Sequence, residues 1–208
     1  MSITRFFPRF AIAAALVAAT ASCSDSNGPA GGDTKDPTEL TILRLSATSP
    51  LLFNPVDSFY AKRGEDREVR IFFADIEGGA GEEYLRLRVN ARSLLARPDG
   101  TPFQEGDSIL IHVAVADPAQ FLFELQPSGL RFSSADPAEL KIHYDHADDD
   151  FNQDGRVDTE DDSIETTLGI WRQEKLGDPF VRLGSAVFKD LKEIEADLNG
   201  FSRYALAY

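Results

Sequence analysis

The stretch Asp150-Phe-Asn-Gln-Asp-Gly-Arg-Val-Asp-Thr-Glu-Asp161 sets oxygen-bearing side chains at the spacing of a twelve-residue calcium loop. Asp150, Asn152 and Asp154 take positions 1, 3 and 5, and Gly155 takes position 6, where the chain must turn sharply with a positive φ. Arg156 at position 7 offers its backbone carbonyl, Asp158 stands at position 9, and Asp161 closes the loop at position 12. Ca²⁺ is a hard cation that takes six to eight oxygens at ~2.3–2.6 Å, and this spacing brings them to one centre. A solvated acidic turn would draw on the same residue types. Six matches in a single register favour the ion. Asp161 stands where glutamate is usual, and its shorter arm implies a weaker, less selective site that admits Mg²⁺ in part. Val157 at position 8 is expected to pack beneath the loop.

The elements around this loop read as strands. Leu140-Lys-Ile-His-Tyr144 alternates with period two, so no helix is expected to enter the loop. Tyr84-Leu-Arg-Leu-Arg-Val89 alternates as cleanly, with Leu85, Leu87 and Val89 on one face and Arg86 and Arg88 on the other. Ile109, Ile111, Val113 and Val115 share one face of a further strand. Similar short runs begin at Leu40, Glu68, Phe121, Leu168, Phe180, Glu193 and Tyr204, with turn signals at Arg63-Gly-Glu-Asp66 and Pro98-Asp-Gly100. The glycine-rich segment from Asp75 to Glu83 reads as an exposed loop. Helix is expected only over Thr159 to Thr167 and around Asn90 to Leu95. The fold class is therefore all-β: an antiparallel β-sandwich of roughly ten short strands spanning residues 40–208, with residues 145–167 inserted as the calcium-loop segment.

The N-terminus supplies a location. Arg5 and Arg9 precede ten apolar residues, Phe10 to Ala19, too few for a span that needs ~20 and suited to a signal peptide over residues 1–22. Small residues then lead to Cys23, the only cysteine. Residues 24–39 hold no large apolar side chain and are expected to be a disordered tether. One cysteine allows no internal disulfide, so a hydrophobic core must hold the domain together. Without residues 1–22 the chain keeps 19 basic against 35 acidic residues, a charge of −16. That surface repels nucleic acid and favours divalent cations or basic partners.

The run ending Thr20-Ala-Ser-Cys23 resembles a bacterial lipoprotein signal. The resemblance implies lipidation at Cys23 and a membrane anchor in the cell envelope, with Ser24 pointing to the outer membrane; plain secretion is the alternative. Phe123-Glu-Leu-Gln-Pro-Ser-Gly-Leu-Arg-Phe132 with Pro137-Ala-Glu-Leu-Lys-Ile142, and the ending Gly200-Phe-Ser-Arg-Tyr-Ala-Leu-Ala207, resemble strands of the β-sandwich domain of zona-occludens proteins, netrin receptors and ankyrins. The likeness covers Leu110 to Tyr208 and implies a binding or scaffolding module; the family does not account for the inserted loop. The loop itself is EF-hand-like and resembles a dockerin repeat, in which aspartate at position 12 is usual. A dockerin needs a second such loop, and this chain has none.

Other residues carry less. His143 and His146 lie three apart, on opposite faces of a continuing strand, so a shared transition metal would require the strand to end between them. His112 sits on the polar face of its strand. The chain lacks a Gly-x-Ser-x-Gly elbow and a glycine-rich phosphate loop, and catalysis is not expected. The expected function is a Ca²⁺-binding surface interaction or scaffolding module with a protein or glycan partner. A carbohydrate-binding module would need outward aromatics among Phe59, Tyr60, Phe72, Phe103 and Trp171. A hydrolase would need a carboxylate of raised pKa in a cleft.

Overall fold

The computed structural model describes residues 32–208 together with Met1; the signal segment, Cys23 and most of the tether lie outside the described residues. Fourteen strands run in chain order: β1 Thr34–Lys35, β2 Val56–Lys62, β3 Arg67–Ala74, β4 Ala80–Val89, β5 Leu94–Ala96, β6 Ser108–Asp117 and β7 Leu122–Gln126, then β8 Arg131–Phe132, β9 Ala138–His143, β10 Gly169–Gln173, β11 Phe180–Arg182, β12 Ser185–Phe188, β13 Glu193–Leu198 and β14 Arg203–Ala207. One helix, α1, spans Thr159–Glu165. The strands form an antiparallel β-sandwich. One sheet has the order β1-β11-β10-β14-β7-β6-β2 and the other β12-β13-β9-β4-β3, with β5 and β8 as a small separate ribbon.

Alternation governs which face is buried. Leu87 lies opposite Leu140 and Leu85 opposite Ile142 across β4 and β9, and all four are fully buried. Ile111 and Val113 of β6 are buried as well, while Ile109 near the strand's start is half-exposed. Arg88 is exposed, and Arg86 and Lys141 are partly covered by their ion pairs on the outer face. A one-residue slip would have turned this entire set outward.

Three expectations are corrected. Residues 80–83, read as loop, extend β4, because they pair back onto the end of β3. Residues 91–93 form a turn into β5 in place of a helical turn. The ordered chain begins before residue 40: Thr34–Lys35 pair with Phe180 and Val181, and Arg182 donates its backbone N–H to Asp33. The physical reason is an apolar patch on the outer face of the seven-stranded sheet. Trp171, Phe180, Ala205 and Ala207 would face water there, and Leu40 with Ile42 closes over them. Lys35 and Arg182 lie 5.5 and 5.9 Å from the Trp171 ring centre, adding cation–π attraction. Residues 41–45 therefore make isolated bridges across the strand ends and do not form a full strand.

Candidate functional site

The acidic loop leaves β9 and enters α1, and the sandwich grips it at both ends. Ala147 bridges Leu45, and Asp148 donates its N–H to the Arg44 carbonyl. Phe151, at loop position 2, is buried edge-on to Tyr208, whose hydroxyl donates to the Phe151 carbonyl. At the far end Glu165 is buried beneath Lys192 (2.9 Å) and Lys189 (3.1 Å), with the Tyr144 hydroxyl at 3.3 Å. Burial works against the charge on Glu165, yet the two lysines prevail and hold its carboxyl below the usual range.

Within the loop the oxygens point inward to backbone amides. Asp150 accepts from the N–H groups of Asp154 (3.1 Å) and Gly155 (2.8 Å). Asn152 Oδ1 accepts from Asp154 N–H at 3.0 Å, and Asp154 accepts from Arg156 N–H at 2.9 Å. Gly155 has φ +85°, a conformation that costs glycine nothing and L-residues a good deal. Asp161 ties the ends together, accepting from Asn152 N–H (3.2 Å) and Asp158 N–H (2.9 Å), and is only 2% exposed. The Asp158 amide, followed by those of Asn152 and Phe151, holds the Asp161 carboxyl below its ordinary pKa.

The sequence is doubly used here. Asp158 is the N-cap of α1, accepting from Glu160 N–H, and Asp161 is the third helical residue of the same capping box. Positions 9 and 12 of the acidic loop are thus also what a short helix needs to start. No helix enters the loop, as alternation in β9 implies, and α1 leaves it at the expected place. Val157 departs from expectation: it is 68% exposed and packs under nothing.

Among the described residues, no group of three or more His, Cys, Asp or Glu side chains converges closely enough to hold a metal ion. The donor set still fits a hard cation in type. Each carboxylate oxygen carries two lone pairs, so an amide bond on one leaves another to coordinate. Closure on an ion would require these carboxylates to draw together.

The histidines do not meet. His146 bonds Glu82 at 2.7 Å and packs edge-on to Phe73. His143, on the outer sheet face, lies 3.4 Å from Glu83, 3.6 Å from Glu193 and 4.0 Å from Asp145. Burial raises the Glu83 carboxyl, but the nearby His143 ring, Arg86 (2.8 Å) and Arg70 (3.4 Å) outweigh it and hold the group at about 2. Its folded value lies below the 4.5 of the free side chain, so its stabilisation is present above about pH 4.5 and lost as the pH falls toward 2. Urea midpoints at pH 7 and pH 3 should therefore differ less in Glu83→Gln than in wild type. An unchanged gap removes Glu83 from the acid response.

Of the five aromatics that could form a platform, Phe103 and Trp171 are buried, Phe59 and Phe72 are half-buried, and Tyr60 is exposed. A cleft of about 410 Å³ on the outer face of the five-stranded sheet is lined by Arg86, Lys141, Glu139, Glu195 and Asp197. Partial burial, with Glu139 and Glu195 as like-charged neighbours, raises the pKa of Asp197, which faces Glu139 directly across the ladder. Asp197 is itself exposed, and the arginine and lysine heads interleave with the acids. No protein-family model matches this chain, and neither a curated protein nor a solved structure does.

Proposed function

We propose that the chain is a calcium-binding β-sandwich module tethered to the cell envelope through a lipidated Cys23, where it acts in surface interaction or scaffolding. The observation that supports the ion is the loop from Asp150 to Asp161, whose carboxylates turn in to backbone amides and whose Gly155 makes, with a positive φ, the sharp turn that position 6 of such a loop needs. Asp150, Asn152, Asp154, Asp158 and Asp161 would supply side-chain oxygens and Arg156 its carbonyl, with Mg²⁺ able to substitute in part. A bound ion supplies charge neutralisation; the residues themselves set the turn and start α1. The resemblance to the zona-occludens, netrin-receptor and ankyrin domain, together with ion-paired outer strands, supports a binding role. Asp197 meets one requirement of a hydrolase, a raised pKa, without the enclosure that a general acid needs.

Calorimetric titration of the purified chain with CaCl₂ should show one site, lost in Asp150→Asn. Wild type should enter the detergent phase on Triton partitioning and Cys23→Ser should not. Absence of calcium heat rejects the ion, and equal aqueous partitioning of both forms rejects the anchor.

A further inference from the structure

A β-sandwich has two sheets and therefore four edges, each a row of backbone groups able to pair with another chain. Three of them are guarded here. Residues 51–54 lie along β3: Phe53 donates its N–H to the Phe72 carbonyl, Ala74 donates to Leu51, and the Asn54 side chain bonds the backbone of both Arg70 and Phe72. β2 carries Asp57 and Lys62, and Asp57 itself accepts the Ser58 N–H at 2.7 Å. β1 is two residues long and includes Lys35. The fourth edge, β12, has none of these devices. Its Ser185-Ala-Val-Phe188 holds neither a charge nor a proline, and it ends its sheet with β13 on one side only. Among the described residues, no other group bonds its backbone. Val187 packs inward, yet it and Ser185 are still half-exposed, as residues at an uncovered edge are.

The surface beside that edge is acidic and open. β13 turns Glu193, Glu195 and Asp197 to the outer face, with Phe188 opposite Glu193 and Ala186 opposite Glu195. One step before the strand, the same register sets Gly184 by Asp197. Lys141 is shared by Glu193 and Glu195, at 2.7 and 2.6 Å. Asp197, with the acids Glu139 and Glu195 beside it, makes no ion pair among the described residues. Gly184 and Ala186 are exposed and line the cleft of about 410 Å³ on the side nearest the edge, and a Cβ on Gly184 would meet nothing within 4 Å. Neighbouring strands lie ~4.8 Å apart, so a chain laid along β12 sits ~10 Å from β13, and long basic side chains can cross above the two small residues to the acids.

We propose that β12 pairs antiparallel with an extended, basic segment of a partner protein, whose lysines or arginines stand opposite Gly184 and Ala186 and reach Asp197 and Glu195. Read in its own direction the segment is apolar-x-basic-x-basic, because the residue facing Phe188 comes first and finds an apolar neighbour there, 42% exposed. Backbone pairing supplies the grip, and the alternate side chains supply the selectivity. A second copy of this chain would bring a net charge of −14 to the same acids and be repelled. The inference rests on the reading of the chain as an interaction module, and on neither its ion nor its anchor.

The test is fluorescence anisotropy on the purified chain in EDTA with a labelled peptide, Thr-Val-Thr-Lys-Thr-Lys-Thr, capped at both ends. It should bind saturably, and the same peptide with glutamate in place of lysine should not. Two versions methylated on alternate backbone nitrogens separate strand pairing from plain attraction of charge, since only one set of N–H groups faces the edge. One version should bind as the parent does, and the other should lose at least tenfold. Asp197→Asn and Ala186→Arg should each weaken binding about tenfold, the second because its guanidinium takes the acids and fills the path. Both positions are exposed, so both variants should keep the wild-type melting temperature. No saturation, equal binding of the two methylated peptides, or full binding by Ala186→Arg overturns the proposal. So does a wild-type dimer in sedimentation that Ala186→Arg dissolves, which would give the edge to a second copy. Because EDTA is present and no lipid is needed, failure here leaves the calcium titration and the detergent partitioning standing.

Discussion

Adding Ca²⁺ to a hundredfold excess over its dissociation constant should stabilise the domain by about 2.7 kcal/mol, from mass action alone. For a domain of this size that is a rise in melting temperature of roughly 5–11 °C. The cause lies in how the loop holds its charges. Asp150, Asp154, Asp158 and Asp161 place four carboxylates along a loop held at its start by Phe151 under Tyr208 and at its end by α1, whose Glu165 is locked under two lysines. With both ends docked, ion closure orders a segment that the sandwich already restrains, so little of the binding energy is spent on capture. Asp154→Ala should abolish the calcium-dependent rise and leave the calcium-free melt unchanged or slightly higher, because one repelling charge is gone. Asp161→Ala should differ: it removes a capping-box partner of α1 and should cost about 1 kcal/mol even without calcium. A wild-type melt that responds to neither calcium nor chelator would leave the loop as a helix-starting acidic turn.

The contrast between those two aspartates shows what the residue pattern could and could not convey. Spacing alone located the loop, its glycine and the helix beyond it, because those depend on local backbone geometry. It could not show that Val157 faces water, since that depends on which other elements pack against the loop. The strands of the two sheet cores were legible from alternation at Leu85, Leu87, Ile111, Val113, Leu140 and Ile142. The short edge strands β1 and β12 were not. β1 rests on a neighbour far along the chain and β12 on the strand that follows it, and two to four residues carry no period of their own. The N-terminal cover over Trp171 was invisible for the same reason, as Leu40 and Ile42 read as the start of a strand. The pairing of Gln173 with Arg203 was hidden too. Only tertiary pairing reveals that a glutamine and an arginine thirty residues apart are neighbours with unmet bonds.

Tyr84→Ala should be among the most damaging single substitutions in the core, costing about 3–5 kcal/mol, as large-to-alanine aromatic changes do. Period-two alternation puts Tyr84 on the same face as Arg86 and Arg88, outside the core. The structure buries it completely. The register between β3 and β4 shifts at this point: Ile71 faces Leu85, but Phe72 faces Glu83, which leaves Tyr84 as the extra residue of a bulge. A bulge re-aims one side chain, so Tyr84 and Leu85 both turn inward. The ring then sits 5.0 Å from Phe73, 5.2 Å from Phe121 and 5.6 Å from Phe123, joining both sheets through edge-on and tilted aromatic contacts. Its hydroxyl contributes little, being 3.5 Å from the Gln120 carbonyl, at the limit of a hydrogen bond. Burial, with Asp117 nearby, keeps that hydroxyl protonated far above the usual tyrosine range. Tyr84→Phe should therefore cost less than about 1 kcal/mol, while Tyr84→Ala should lower the melting temperature by roughly 6–20 °C. Equal losses in the two variants would place the energy in the hydroxyl and not in the ring, and a mild Tyr84→Ala would deny the bulge its part in joining the sheets.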